Sequence, residues 1–140
     1  MNLELLAHLS CVKCGAGKFG TGKALSKSID ADGKGTLTCG NCSETYPVID
    51  QIARFVPASN YADSFGFQWN THAETQLDSH CNVTVSRDRV FSVTGWPDNM
   101  KGQTILEAGS GAGRFTEVLV TTGADVLSFD FSSAVDANRR

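Results

Sequence analysis

The sequence predicts an α+β chain, with a small β-rich front lobe followed by the strand–helix–strand opening of a parallel α/β sheet. Three observations carry that expectation. Two C-x-x-C pairs bracket a hairpin pattern, a glycine-rich loop joins an apolar strand pattern to a helical one, and a second apolar strand ends in an acid. Strand and helix patterns in alternation are the signature of a βαβ unit.

The chain has 140 residues, of which 41% are hydrophobic and 19% charged, the balance of a globular protein and not of a disordered one. Its net charge is -3. Residues 1–60 carry six basic and five acidic side chains, and residues 61–140 carry six and ten. With no polybasic patch, a general attraction to nucleic acid or to an anionic membrane is excluded as an expectation. No apolar run approaches the roughly 20 residues that span a bilayer. Residues Met1–Ser10 lack the basic start of a secretory leader. Five cysteines cannot all pair within one chain. Together these features predict a cytoplasmic protein.

Three segments follow. Residues 1–57 are rich in Gly, Lys and Cys, residues 58–100 form an aromatic-rich, partly helical connector, and residues 101–140 alternate strand and helix patterns. In the first segment, the turn cluster Asp30-Ala31-Asp32-Gly33-Lys34-Gly35 between Leu25–Ile29 and Thr36–Cys39 predicts a hairpin. Tyr46–Ile49 and Ile52–Val56 read as short extended pieces, with Pro47 marking the former as an edge or a strand start. In the last segment, Thr104–Ala108 is a buried-strand pattern, and Arg114–Thr122 is helical with Gly123 as its stop. Asp125–Phe131 is a second buried strand, after which Ser132 or Ser133 caps a helix running to Arg140.

Cys11-Val12-Lys13-Cys14 and Cys39-Gly40-Asn41-Cys42 are separated by 24 residues. Each pair places two thiolates on one side of a tight turn, and two such turns complete a tetrahedron around zinc, a closed structural site with no position left for water. Gly15 and Gly40 suit those turns because glycine tolerates positive φ. Redox-active pairs, an iron–sulfur cluster or unliganded thiols are the competing readings. His8 is three residues from Cys11 but is not needed as a ligand. Cys81 beside His80 has the residue types of a nucleophile and base, yet no oxyanion-hole pattern accompanies them, and the pair reads as incidental.

Glu107-Ala108-Gly109-Ser110-Gly111-Ala112-Gly113 follows a strand and opens a helix. The dinucleotide fingerprint G-x-G-x-x-G needs glycine where Arg114 stands. The pattern is instead E-x-G-x-G-x-G. Asp130 ends the second strand, seventeen residues beyond Gly113. Ligands of open α/β sheets sit outside the carboxyl ends of the strands, where an acid can accept bonds from ribose hydroxyls. A cap on the next helix is the plain alternative for Asp130, and a buried strand-end acid is that for Glu107.

Residues 103–140 resemble the start of a class I S-adenosylmethionine-dependent methyltransferase. Ile105–Phe115 is similar to the first motif of that family and Val126–Asp130 to its second strand. The resemblance implies that Glu107, Gly109, Ser110, Gly111, Ala112 and Gly113 face the methionine part of the cofactor and that Asp130 holds its ribose. The front segment resembles the zinc ribbons found ahead of such domains, with the match running through Tyr46-Pro47-Val48 to Ile52-Ala53-Arg54-Phe55. Such ribbons commonly carry Gly in place of Gln51 and Pro in place of Ala53. Tyr61, Phe65, Phe67 and Trp69 resemble an aromatic segment that precedes the sheet and covers the cofactor; packing is the plain reading. Arg87-Asp88-Arg89 reads as a solvated face and Trp96-Pro97 as a packed turn.

The expected fold is therefore a zinc ribbon followed by the opening β-α-β of a Rossmann-like methyltransferase sheet, the front part of a longer catalytic domain. The expected cofactors are S-adenosyl-L-methionine and structural zinc. The methyl acceptor and the general base are unassigned, and the open sheet edge is a place for a partner chain or self-association. Two other readings stand beside it: a non-catalytic zinc-ribbon docking module that binds no cofactor, and a nicotinamide-dependent oxidoreductase, which Arg114 disfavours.

Overall fold

A computed structural model describes residues 4–17, 25–57 and 59–139. The fold is mixed α/β, with one antiparallel sheet and one small parallel sheet. The chain divides into two compact units, Met1–Ala58 and Ser59–Arg140.

The first unit opens with a short 3-10 helix, Glu4–His8, and builds a four-stranded antiparallel sheet in the order β1 (Leu25–Ile29), β2 (Gly35–Cys39), β3 (Thr45–Ile49), β4 (Ile52–Ala53). The expected hairpin is β1–β2, in register from Leu25 opposite Cys39 to Ile29 opposite Gly35. Asp30 closes its turn: the side chain accepts the Lys34 N–H at 2.9 Å while its carbonyl accepts that of Gly33 at 3.1 Å. Alternation then sets the core. Leu37 and Cys39 on β2, and Tyr46 and Val48 on β3, point inward and join Cys11 and Leu25. The Tyr46 ring packs tilted against Phe55, with centroids 4.8 Å apart.

Pro47 lies in an interior strand, not at an edge, because β4 pairs on its far side. Its carbonyl accepts the Arg54 N–H. A strand residue directs its carbonyl and nitrogen to the same side, so the donor that proline lacks falls on the β4 side, next to the two-residue β4. Asp50 and Gln51, at φ 50° and 64°, form the β3–β4 turn. Two successive positive φ values are the mark of a type I′ turn. Gln51 therefore takes the turn residue's left-handed conformation without glycine, held by its N–H to the Gly33 carbonyl at 2.7 Å.

The second unit contains α1 (Asp63–Thr71), α2 (Asp78–Cys81), α3 (Val85–Thr94), β5 (Thr104–Ala108), α4 (Thr116–Val120), β6 (Asp125–Phe129) and α5 (Val135–Arg139). The segment read as a connector supplies α1 to α3 of this unit. β5 and β6 pair in parallel, Thr104 opposite Asp125 through Ala108 opposite Phe129. The right order of strand, helix and strand is present, with α4 packed on β6. α4 is shorter than Arg114–Thr122: Gly113 takes φ 99°, and residues 111–115 and 121–123 are in turns. A side chain on Gly113 would also overlap that of Asn138. One face of the strand pair is packed, with Ile105 4% exposed, while Leu106 and Phe129 are open at 68% and 53%.

Carboxylates start the short helices. Glu117 on α4 accepts the N–H groups of Asp78 and Ser79 at 3.0 and 3.2 Å. Asp78 in turn accepts those of Ser86 and Arg87 at 3.0 and 2.9 Å. Unsatisfied N–H groups and the positive end of each helix dipole favour an acid there. Burial pushes the Asp78 carboxyl up, but the Arg87 and Ser86 bonds and the nearby Arg114 charge leave it below its ordinary range.

Candidate functional site

The two C-x-x-C turns are near copies of each other. In the first, the Cys11 carbonyl accepts the Gly15 N–H at 2.8 Å and the Cys11 N–H donates to Ala16 at 2.9 Å. In the second, the Cys39 carbonyl accepts the Ser43 N–H at 3.0 Å and the Cys39 N–H donates to Glu44 at 2.8 Å. The residue just after each pair takes positive φ: Gly15 at 71° and Ser43 at 59°. Gly15 fulfils the expectation. Gly40 does not, since the strained position falls three residues later on Ser43.

The sulfurs of Cys11, Cys14, Cys39 and Cys42 all lie within 4.8 Å of one another. Cys11 and Cys42 approach to 3.6 Å, and Cys14 and Cys39 to 3.7 Å. A regular tetrahedron with metal–sulfur bonds of about 2.3 Å separates its sulfurs by about 3.8 Å. The four cysteines thus form a group that could hold a metal ion such as zinc, and the cluster is compatible with a zinc ribbon. The surroundings of Cys11, Cys14 and Cys42 differ. The Tyr46 hydroxyl, 3.1 Å from the Cys11 sulfur, is the main cause that lowers Cys11 to about 6. The Glu44 N–H draws Cys42 down, but burial and the neighbouring thiols push it up to about 12. The Asn41 side chain and the Ala16 N–H lower Cys14. His8 is exposed and stands outside the group.

In the second unit, residues of α1 and of the segments that follow β5 and β6 converge on a cavity of about 380 Å³. It lies at the carboxyl ends of the two parallel strands. Gly109, Ser110, Gly111 and Ala112 form one wall, Asp130 and Ser132 another, and Phe65 and Trp69, one turn apart on α1, a third. Positive φ at Gly109 and Gly111, 78° and 54°, lets the loop turn across the strand ends. The loop's amides are largely engaged within the protein. Those of Gly109 and Ser110 donate to the Phe129 carbonyl, that of Gly113 to Ser110, and that of Gly111 to Asp130 Oδ2 at 2.8 Å. Ser132 donates both its N–H and its hydroxyl to Asp130 Oδ1, at 2.8 and 2.7 Å. Burial pushes the Asp130 carboxyl up, but these bonds outweigh it and hold it below the ordinary carboxylate range. The Ser110 hydroxyl is buried and has no hydrogen-bond partner among the described residues.

Two of the expected residues stand apart from the cavity wall. Glu107 turns to α4 and β6, where it accepts the hydroxyls of Thr116 and Ser128, and Gly113 packs against Asn138. Sequence reasoning missed Arg114 and Ser132 as wall residues. The Arg114 Nε donates to the buried Ser86 hydroxyl at 2.9 Å, and its guanidinium lies 5.2 Å from the Phe115 ring centroid. Only the serine following a strand-end acid was a signal for Ser132, as a potential Asx-turn partner. Tyr61 and Phe67 are 86% and 75% exposed, so neither is core; Tyr61 stacks on Phe131 at 5.1 Å. Arg87 reaches out from α3 to pair with Asp98. His80 pairs with Glu74, and the exposed Cys81 thiol donates to the Thr75 carbonyl. The two side chains therefore do not act on each other.

Scans of family models, curated proteins and solved structures find no match to this chain. Among the described residues, no helix is long and apolar enough to cross a membrane.

Proposed function

We propose that this chain carries the cofactor-binding front of an S-adenosylmethionine-dependent methyltransferase behind a zinc ribbon. The observation that carries the reading is the convergence of the glycine loop, Asp130 and the two α1 aromatics on one cavity. Its size falls within the range of small-molecule pockets, and its place beyond the carboxyl ends of parallel strands is where α/β sheets bind ligands. Gly109–Ala112 would lie along the cofactor's methionine part. Asp130, kept ionised by its donors, would accept the ribose hydroxyls, and Phe65 and Trp69 would cover the apolar body. The cofactor, when bound, supplies an electrophilic methyl group on its sulfonium. The protein's part is to bind, orient and exclude water; the residues described here offer no assigned base. The four cysteines would hold zinc as a structural ion, with Cys11 and Cys39 built into the core.

A second reading, a zinc-ribbon interaction module that binds no cofactor, draws on one observation: the Asp130 carboxylate already accepts three internal bonds. Calorimetric titration of the zinc-loaded chain with S-adenosylmethionine, and with NAD as a control, separates the two. Saturable binding of the former that weakens at least tenfold in Asp130→Ala is the expected result. No binding by a folded chain leaves the ribbon module, and preference for NAD overturns the methyltransferase reading.

A further inference from the structure

Tyr46 stands where β3 passes the metal-binding group. Its side chain is 7% exposed, and the ring is fixed by Phe55. A tyrosine hydroxyl has a single proton to give. The Lys13 N–H donates to this oxygen at 3.3 Å, so an acceptor site on the hydroxyl is filled from the backbone of the first cysteine turn. The Cys11 sulfur lies 3.1 Å away. A cysteine that ligates a metal is a thiolate with no proton, and a bond at that distance then has one possible direction, from Tyr46 to Cys11.

We infer that Tyr46 is a positioning residue of the metal centre: it receives the Lys13 N–H and donates its hydroxyl to the Cys11 thiolate, fixing that sulfur's orientation and drawing off part of its charge. A tetrathiolate zinc site carries about two net negative charges, and here Cys11, 1% exposed, has little water to disperse its share. Charge-assisted bonds to such an anion are the strong ones. The other turn shows the same need met differently, with the Asn41 N–H 3.4 Å from the Cys39 sulfur and the Asn41 side chain 3.5 Å from that of Cys14. The first of these donors is local to its own C-x-x-C pair and the second crosses to the other pair, whereas Tyr46 brings a donor from β3. The inference rests on the reading of the four cysteines as a zinc site.

The test compares the chain with Tyr46→Phe, which keeps the ring and removes the hydroxyl. Zinc affinity is read by competition with a chromophoric chelator, and cobalt replaces zinc to report the sulfur-to-metal charge-transfer band. The expected result is a zinc affinity lower by about ten- to a hundredfold, the usual effect of losing an outer-shell partner. The band should also move to lower energy, since an undonated sulfur gives up its electrons more readily. Equal affinities and an unmoved band would overturn the inference while leaving the zinc site intact. If the unaltered chain binds no zinc, the site and the inference fall together. If Tyr46→Phe does not fold, the unaltered chain loaded with cadmium-113 decides: a scalar coupling between the metal and the Tyr46 hydroxyl proton supports the bond, and its absence from an assigned spectrum overturns it.

Discussion

Asp130 concentrates the chemistry of the second unit in one side chain. Its three donors, two from Ser132 and one from Gly111, bond the ionised carboxylate better than the neutral acid, so its pKa falls despite burial. The sign follows. A carboxyl depressed below its unfolded value of about 3.9 contributes stability that is complete above that pH and is lost as pH falls through the folded pKa. A carboxyl titration by NMR should place Asp130 below the ordinary range, and Asp130→Asn should flatten the acid limb of the stability curve. A midpoint at or above the unfolded value would contradict this. Glu107 has partners that its motif does not reveal. The motif puts it one strand residue before the loop, on the evident ligand side, but hydroxyls on Thr116 and Ser128 lie nine and twenty-one residues further on and capture it. A local pattern does not reveal partners that only the folded chain brings together.

At the scale of elements, α3 depends on a borrowed cap. It buries one residue, Ser86, and its Thr84 hydroxyl bonds Asp88 Oδ2 instead of the helix backbone. Asp78 supplies the missing acceptors. Asp78→Ala should cost about 1 kcal/mol of the second unit's stability, within the usual range for loss of an N-cap. Chemical denaturation checks it, and an unchanged midpoint would show that the cap is dispensable. Strands and turns were largely legible in sequence because their causes are local. The polar cluster Asp30–Gly35 fixes the hairpin, and alternating apolar residues set the faces of β2 and β3. Thr104–Ala108 matches β5 as expected. Helix lengths were less so. Arg114 and Phe115 fit a helical pattern, but they lie in turns and α4 begins at Thr116. Ser43 was overlooked for a similar reason: Gly40 is the residue that composition favours for a strained turn, and geometry places that turn elsewhere.

For the whole molecule, the two units rest on different foundations. In the first, two metal-ligand candidates, Cys11 and Cys39, are themselves core residues, joined among the described residues by Leu25, Leu37, Tyr46 and Val48 as buried neighbours. Metal binding of this kind can contribute on the order of 10 kcal/mol to the folding of a small lobe. A strong chelator should therefore expose the amides of Leu37 and Val48 to exchange while β5 and β6 keep their protection; undisturbed exchange in both units after verified metal removal would contradict a structural metal. The cysteine quartet was legible because two C-x-x-C pairs offer four identical candidate ligands. The cavity was legible only in part: the loop and Asp130 follow from their pattern, whereas Ser132, Arg114 and the roles of individual aromatics depend on the path of α1 and the turn after β6.

The cavity bounded by the glycine loop, Asp130 and α1 is the proposed site for S-adenosylmethionine. The most direct measurement is an amide-resolved NMR titration of the folded, zinc-loaded chain with that cofactor. The expected result is saturable shifts at Gly109–Ala112, Asp130 and Ser132, with Phe65 and Trp69 moving at the same midpoint and the amides of β2 and β3 still. Shifts confined to the first unit, or none at saturating cofactor, would contradict it.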